Sequence, residues 1–155
     1  MVKETLLLVG HGSKLPYSKQ LILDVAEKVK AQNKFENIEI GLMEFNEPSI
    51  PTALKKIIAD GTKRIIVVPV FLAPGTHTEK DIPRILGLLK DEQETHHHHE
   101  HGEECGYSHK HEGHHHHHHH GDPVDIPDDV EIIYKKPLGA DDRIVEIVME
   151  RALNL

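Results

Sequence analysis

The sequence of 155 residues has no tryptophan and a single cysteine, Cys105. One cysteine excludes an internal disulfide, and no CxxC pair is present to build a zinc knuckle. Aromatic residues make up 4% of the chain, too little stacking surface for a reader of single-stranded nucleic acid. No apolar run reaches membrane-spanning length. The opening MVKETLLLVGHG is unlike a signal peptide, because its apolar stretch is short and runs into Gly-His-Gly. A cytoplasmic location with no membrane partner is therefore expected. Basic residues are in deficit too: 18 Lys and Arg stand against 26 Asp and Glu, a net charge of -8. A duplex-binding protein would carry the opposite sign, so no nucleic-acid partner is expected.

The charge excess is local. Residues 94–129 hold nine acids and one base, Lys110, which leaves 17 side chains of each sign elsewhere. The same stretch holds 14 of the 16 histidines, with runs at 96–99 and 114–120. With scattered glycines and no apolar periodicity, it cannot bury enough surface to offset its ordering entropy. The length suits one domain. We expect a single domain over 1–155, interrupted by a disordered, His-rich loop over 94–129. A purification tag would give similar runs, but tags sit at a terminus, and here α/β-type sequence continues to Leu155.

Outside that loop, apolar patterns alternate between two periods. TLLLV (5–9), IEIGLM (38–43), RIIVVPVFL (64–72) and VEIIY (130–134) read as strands. Between them, Leu21, Val25 and Val29 recur at helical spacing, as do Ile50, Ala53, Leu54, Ile57 and Ile58. Ser49 is a candidate cap for that second helix, and Gly61 a candidate stop. A third helix is expected through Ile82, Ile85, Leu86 and Leu89, and a last one through Ile144, Ile147 and Val148. Strand–helix alternation implies a doubly wound α/β sheet of about four parallel strands flanked by helices, for which the order 2-1-3-4 is expected. A sheet this small can need a partner chain to complete a deep site.

In such sheets ligands bind outside the carboxyl ends of the strands. His11 follows the first strand in VGHGS (9–13), and His77 follows the third in FLAPGTHTEKDIP (71–83). Glu44 and Glu47 end the second within MEFNEPS (43–49), where a solvated or capping role competes with a site role. If strands one and three are neighbours, both histidines overlook one crevice. Neutral imidazole is a ligand for Co²⁺, Ni²⁺, Fe²⁺ and Zn²⁺ and a base near neutral pH. Two of them form an incomplete shell, suited to an ion that must leave, whereas structural zinc usually takes four protein ligands. Gly10, Gly12 and Gly75 would let a flat ligand approach the backbone. Amides in 73–76 and helix starts near Ser13 and Thr78 would hold carboxylates. GHGS lacks the GxGxxG spacing and the Walker Lys-Ser pair, which excludes a nucleotide loop. Ser13 has no G-x-S-x-G elbow around it, so it is no hydrolase nucleophile.

LLLVGHGS (6–13), MEFNEPSIPTAL (43–54), VVPVFLAPGTHTEKDIPRIL (67–86) and KPLGADDRIVEIVMERAL (136–153) resemble the small-form sirohydrochlorin chelatases, the archaeal cobalt/nickel branch of the class II chelatases. The resemblance covers essentially the whole chain outside 94–129. It implies a lyase-type chelatase that inserts Co²⁺ or Ni²⁺ into sirohydrochlorin, with no permanently bound cofactor. It further implies a homodimer, since the short form supplies half of what longer chelatases carry in one chain. His11 and His77 would bind the metal, and His11 would also accept pyrrole protons. Glu47 and the loop Leu72, Ala73, Pro74, Gly75, Thr76 and His77 would contact the tetrapyrrole, with Glu44 the less certain neighbour. Lys14, Lys80 and Arg84 flank the crevice in sequence and would meet the acidic substrate.

Metal insertion removes two N–H protons and tilts the pyrroles, so a base and a metal site on one face of a shaped pocket answer both needs. The histidines of 94–129 are expected to concentrate metal near the crevice. Two alternatives stay open: a ferrochelatase for sirohaem, and a nickel or cobalt storage protein or metallochaperone, which would leave His11 and His77 idle.

Overall fold

Strand β1, Glu4–Gly10, is apolar on both of its faces because helices cover both sides of the sheet. The computed structural model describes residues 2–89 and 122–153. Helix α1 is Tyr17–Lys30, β2 is Asn37–Leu42, α2 is Ile50–Ala59 and β3 is Arg64–Pro69. A π-helical turn, His77–Asp81, leads directly into α3, Ile82–Ile85; β4, Glu131–Tyr134, and α4, Asp142–Leu153, complete the order. The four strands are all parallel and lie in the order β2-β1-β3-β4, as expected.

Residues alternate between the two faces of a strand. Leu7 and Val9 of β1 therefore pack with Ile50, Leu54 and Ile57 of α2 and with Ile82 and Ile85 of α3. Leu6 and Leu8 pack with Ile22 of α1, Ile40 and Leu42. Both faces are dry, which is why these strands read as unbroken apolar runs. Burying each Leu or Ile contributes about 1.5–3 kcal/mol, so two helix layers are enough to hold the sheet. Ser49 caps α2 as expected, its hydroxyl accepting from Thr52 N at 3.2 Å. Gly61, at φ +90°, lets the chain leave the helix.

Three expectations need adjustment. The third helix stops before Leu89, because Gly87 at φ +72° closes it: Leu88 N donates to Pro83 O at 2.8 Å and Gly87 N to Arg84 O at 3.0 Å. Leu89 is left exposed. The His-rich interruption was expected over 94–129. Residues 94–121 lie outside the described residues, but 122–129 pack on the domain. Val124 is buried, its N–H donates to Ile85 O, and Ile126 rests on the same core. Two apolar residues at strand-like spacing were hidden there by the acidic residues around them. Finally, α4 forms as expected yet buries none of its residues; Val145, Ile147, Val148, Met149 and Leu153 are all exposed.

Candidate metal centre

The carboxyl ends of β2, β1 and β3 lie side by side, and each releases one ligand-type residue onto the same edge. His11 follows β1 directly, Glu44 follows β2, and His77 opens the π turn after β3. The two imidazole rings meet with centroids 5.0 Å apart and planes inclined by 73°. Glu44 Oε1 lies 3.8 Å from His11 Nε2 and 3.6 Å from His77 Nε2. One ligand atom from each residue lies within 4.8 Å of the other two. Two donors bonded to one ion at about 2.1 Å in tetrahedral geometry are roughly 3.4 Å apart, so small rotations of these side chains suffice to close on a metal.

Hydrogen bonds fix which nitrogen faces the cleft. His11 Nδ1 is 2.9 Å from Gly12 O, and a carbonyl can only accept. His77 Nδ1 is 2.8 Å from Asp81 Oδ2. Both imidazoles therefore carry a proton on Nδ1 and turn Nε2 toward Glu44. Exposure separates them: the His11 side chain is 51% exposed and that of His77 24%. The Phe71 ring stands edge-on to His11 at 6.2 Å and supplies an apolar wall.

The glycines serve a different purpose from the one expected. A side chain on Gly10 would run into Ile22, and Gly12, at φ +84°, has the Glu44 carbonyl oxygen where a Cβ would stand. They bring protein against protein, which seats the His11 loop on the Glu44 loop. Ser13 N donating to Asn46 Oδ1 at 2.9 Å ties the same two loops. Only at Gly75 is the space open, as the flat-ligand reading requires. The Gly75 amide is already used, donating to Thr78 Oγ1 at 2.8 Å.

Of the two acids at the end of β2, Glu44 joins the histidines. Glu47 lies on the exposed side of the loop and accepts from Ser49 N at 3.0 Å. The separation arises at Phe45, which turns the chain with φ +65°. Leu72 to Thr76 form an exposed loop leading to His77. It is anchored where Leu138 N donates to Phe71 O and Gly139 N to Leu72 O. Ser13 Oγ accepts from Leu15 N, a local turn. Lys14 Nζ lies 5.5 Å from the centre of the Phe45 ring, near the cleft, while Lys80 and Arg84 are exposed on the π turn and α3.

Sequence reasoning passed over Asp81, Asn46 and Tyr134. The Tyr134 hydroxyl donates to Thr78 O at 2.7 Å and braces the π turn that carries His77. Burial, aided by the nearby Glu79 charge, pushes its pKa up to about 12, so it remains a donor at neutral pH. The spacing of four between His77 and Asp81 was the available signal, since residues so placed meet on a helical turn. Among the described residues no helix is long and apolar enough to cross a membrane.

The CbiX family model matches residues 5–155. A sirohydrochlorin cobaltochelatase of Methanocaldococcus jannaschii is 62% identical over 149 residues, covering 96% of this chain and 97% of the relative. Another, from Methanococcus maripaludis, is 55% identical over 154 residues, covering 98% of this chain and 99% of the relative. Among solved structures, SirB from Bacillus subtilis with Fe3+ matches at 26% identity with a TM-score of 0.65. That match covers 97% of this chain and 46% of SirB, so the chain spans just under half of that protein.

Proposed function

The chain belongs to the CbiX family, and from that premise we propose that it inserts a divalent metal, cobalt or nickel, into sirohydrochlorin. The observation that carries the reading is the convergence of His11, Glu44 and His77 on one edge of the sheet. Three donors leave coordination positions open to the ring nitrogens, and two imidazoles with a carboxylate suit a borderline ion.

Proton and metal exchange follow from the same atoms. Insertion puts one M²⁺ into the ring and takes two N–H protons out. A lone pair that holds the metal cannot hold a proton at the same time. As the ring nitrogens take the metal, His11 Nε2 and its neighbours are released and can accept those protons. His11, the more exposed imidazole, passes its proton to water most directly. The loop Leu72–His77 and Glu47 contact the macrocycle in this reading, and Ser13, Lys14, Lys80 and Arg84 face its carboxylates.

Affinity for nitrogen ligands rises from Fe²⁺ through Co²⁺ to Ni²⁺, and the histidines of 94–121 add to the pull toward the later ions. Nickel would feed the methanogenesis coenzyme and cobalt would feed cobalamin. Iron, giving sirohaem, is the alternative, and SirB has been solved both with Fe3+ and with cobalt. A homodimer belongs to the same proposal, supported by the apolar residues of α4 that no described residue buries and by the half-length match to SirB.

The test is metal entry into sirohydrochlorin, followed by its absorption spectrum with Co²⁺, Ni²⁺ and Fe²⁺ in turn. His11→Ala and His77→Ala are each expected to lower the rate by about 10²-fold or more, the scale of a lost catalytic base or ligand. A storage protein would not exceed the spontaneous rate, and its variants would match the parent.

A further inference from the structure

Asp81 lies against the metal-holding group without belonging to it. It is 9% exposed, closes the π turn, and sits beside Ile82, which is fully buried. A carboxylate so placed needs a partner. Among the described residues its side-chain hydrogen bond is to His77 Nδ1, at 2.8 Å. The turn around it is held from both sides. Tyr134 donates to Thr78 O on one side, and Thr78 Oγ1 exchanges bonds with Gly75 N and O on the other. The contrast with His11 is informative, since that ring hydrogen-bonds the carbonyl of the adjacent residue, Gly12. His77 leans on a buried carboxylate four residues away, on a turn braced by Tyr134 and Thr78.

We propose that Asp81 is the positioning residue of His77. It locks the Nδ1–H tautomer and aims Nε2 at the position where Glu44 Oε1 and His11 Nε2 converge. Asp81 thereby sets how firmly the metal is held before insertion and acts far less on the grip on the macrocycle, which His77 shares with Glu47 and the loop Leu72–Thr76. The inference rests on His11, Glu44 and His77 being the metal-holding set.

The full chain is titrated with Co²⁺ by its visible ligand-field bands, and KM is measured separately for Co²⁺ and for sirohydrochlorin. The site's share of the titration is the difference between parent and His77→Ala, because the histidines of 94–121 bind Co²⁺ in both. Asp81→Ala is expected to weaken Co²⁺ binding and raise its KM by about 10–100-fold, the usual cost of losing a carboxylate behind a metal-ligating imidazole. KM for sirohydrochlorin should change far less, by about a few-fold at most. Asp81→Asn keeps an acceptor for Nδ1–H without the charge, and should fall between parent and Ala with altered Co²⁺ bands. Its near-identical shape carries the test should the Ala variant fail to fold. Unchanged Co²⁺ affinity in Asp81→Asn and any folded Asp81→Ala protein, or parallel shifts in both KM values, would overturn the proposal. His77→Ala serves as the control. If it leaves the KM for Co²⁺ and the ligand-field bands unchanged, the metal-holding set itself is wrong; if it alters both while the Asp81 variants do not, only the positioning role fails.

Discussion

Single side chains decide what this sheet edge can do, and Tyr134 shows how far from the metal group such a decision can be taken. Its hydroxyl holds the Thr78 carbonyl, one residue beyond His77. Tyr134→Phe removes that donor and should cost about 1 kcal/mol of stability at neutral pH, measured by denaturant unfolding. The pH dependence gives a second check. The folded state keeps the phenolic proton up to about 12, whereas an unfolded tyrosine loses it near 10.0. Between those values the folded protein binds more protons, so its stability falls as pH rises through that window. Tyr134→Phe should lack that decline, and equal slopes for the two proteins would contradict the assigned environment. Gly12 makes a different kind of contribution. Its positive φ and missing side chain let the Glu44 carbonyl come close, so the ligand from β1 is placed by the loop that supplies the ligand from β2.

At the scale of elements, the last residues of the expected His-rich interruption turn out to be structural. Val124 and Ile126 cover the end of α3, so a deletion that runs to 129 would strip the core. Removing 94–121 alone should leave turnover nearly intact at saturating metal and reduce it when metal is scarce, measured as rate against Co²⁺ concentration. Equal loss at both extremes would count against a metal-gathering role. The order of the four strands was not legible, because periodicity does not say which strands pair; the strands themselves were, because short β-branched and leucine runs admit few other readings. The cap at Ser49 was legible for a similar reason. The end of α3 was not, since the apolar spacing continues to Leu89 and only the left-handed turn at Gly87 stops it. The metal centre was half legible. Both histidines are announced by position after strands, but the choice between Glu44 and Glu47 depends on a chain reversal at Phe45 that composition does not show. Asp81 was hidden differently, reading as one more charge in HTEKD although it is buried.

For the whole molecule, α4 poses the main question. A helix with Val145, Ile147, Val148, Met149 and Leu153 all exposed would be a poor end to a monomer. If a second copy covers it, Val148→Asp would bury an unpaired charge at the contact and yield a monomer, whereas the parent sediments as a dimer. Sedimentation equilibrium at micromolar concentration distinguishes these outcomes, and a monomeric parent would remove the proposal. While His77 is carried by the π turn beyond β3, His11 and Glu44 follow within two residues of neighbouring parallel strands, whose separation is fixed near 4.8 Å by the backbone ladder. That repeat acts as a ruler. Side chains can lean inward, but their anchor points cannot be drawn together without tearing the ladder. A site mounted on so stiff a gauge would close on an ion by turning its side chains and not by drawing its strands together.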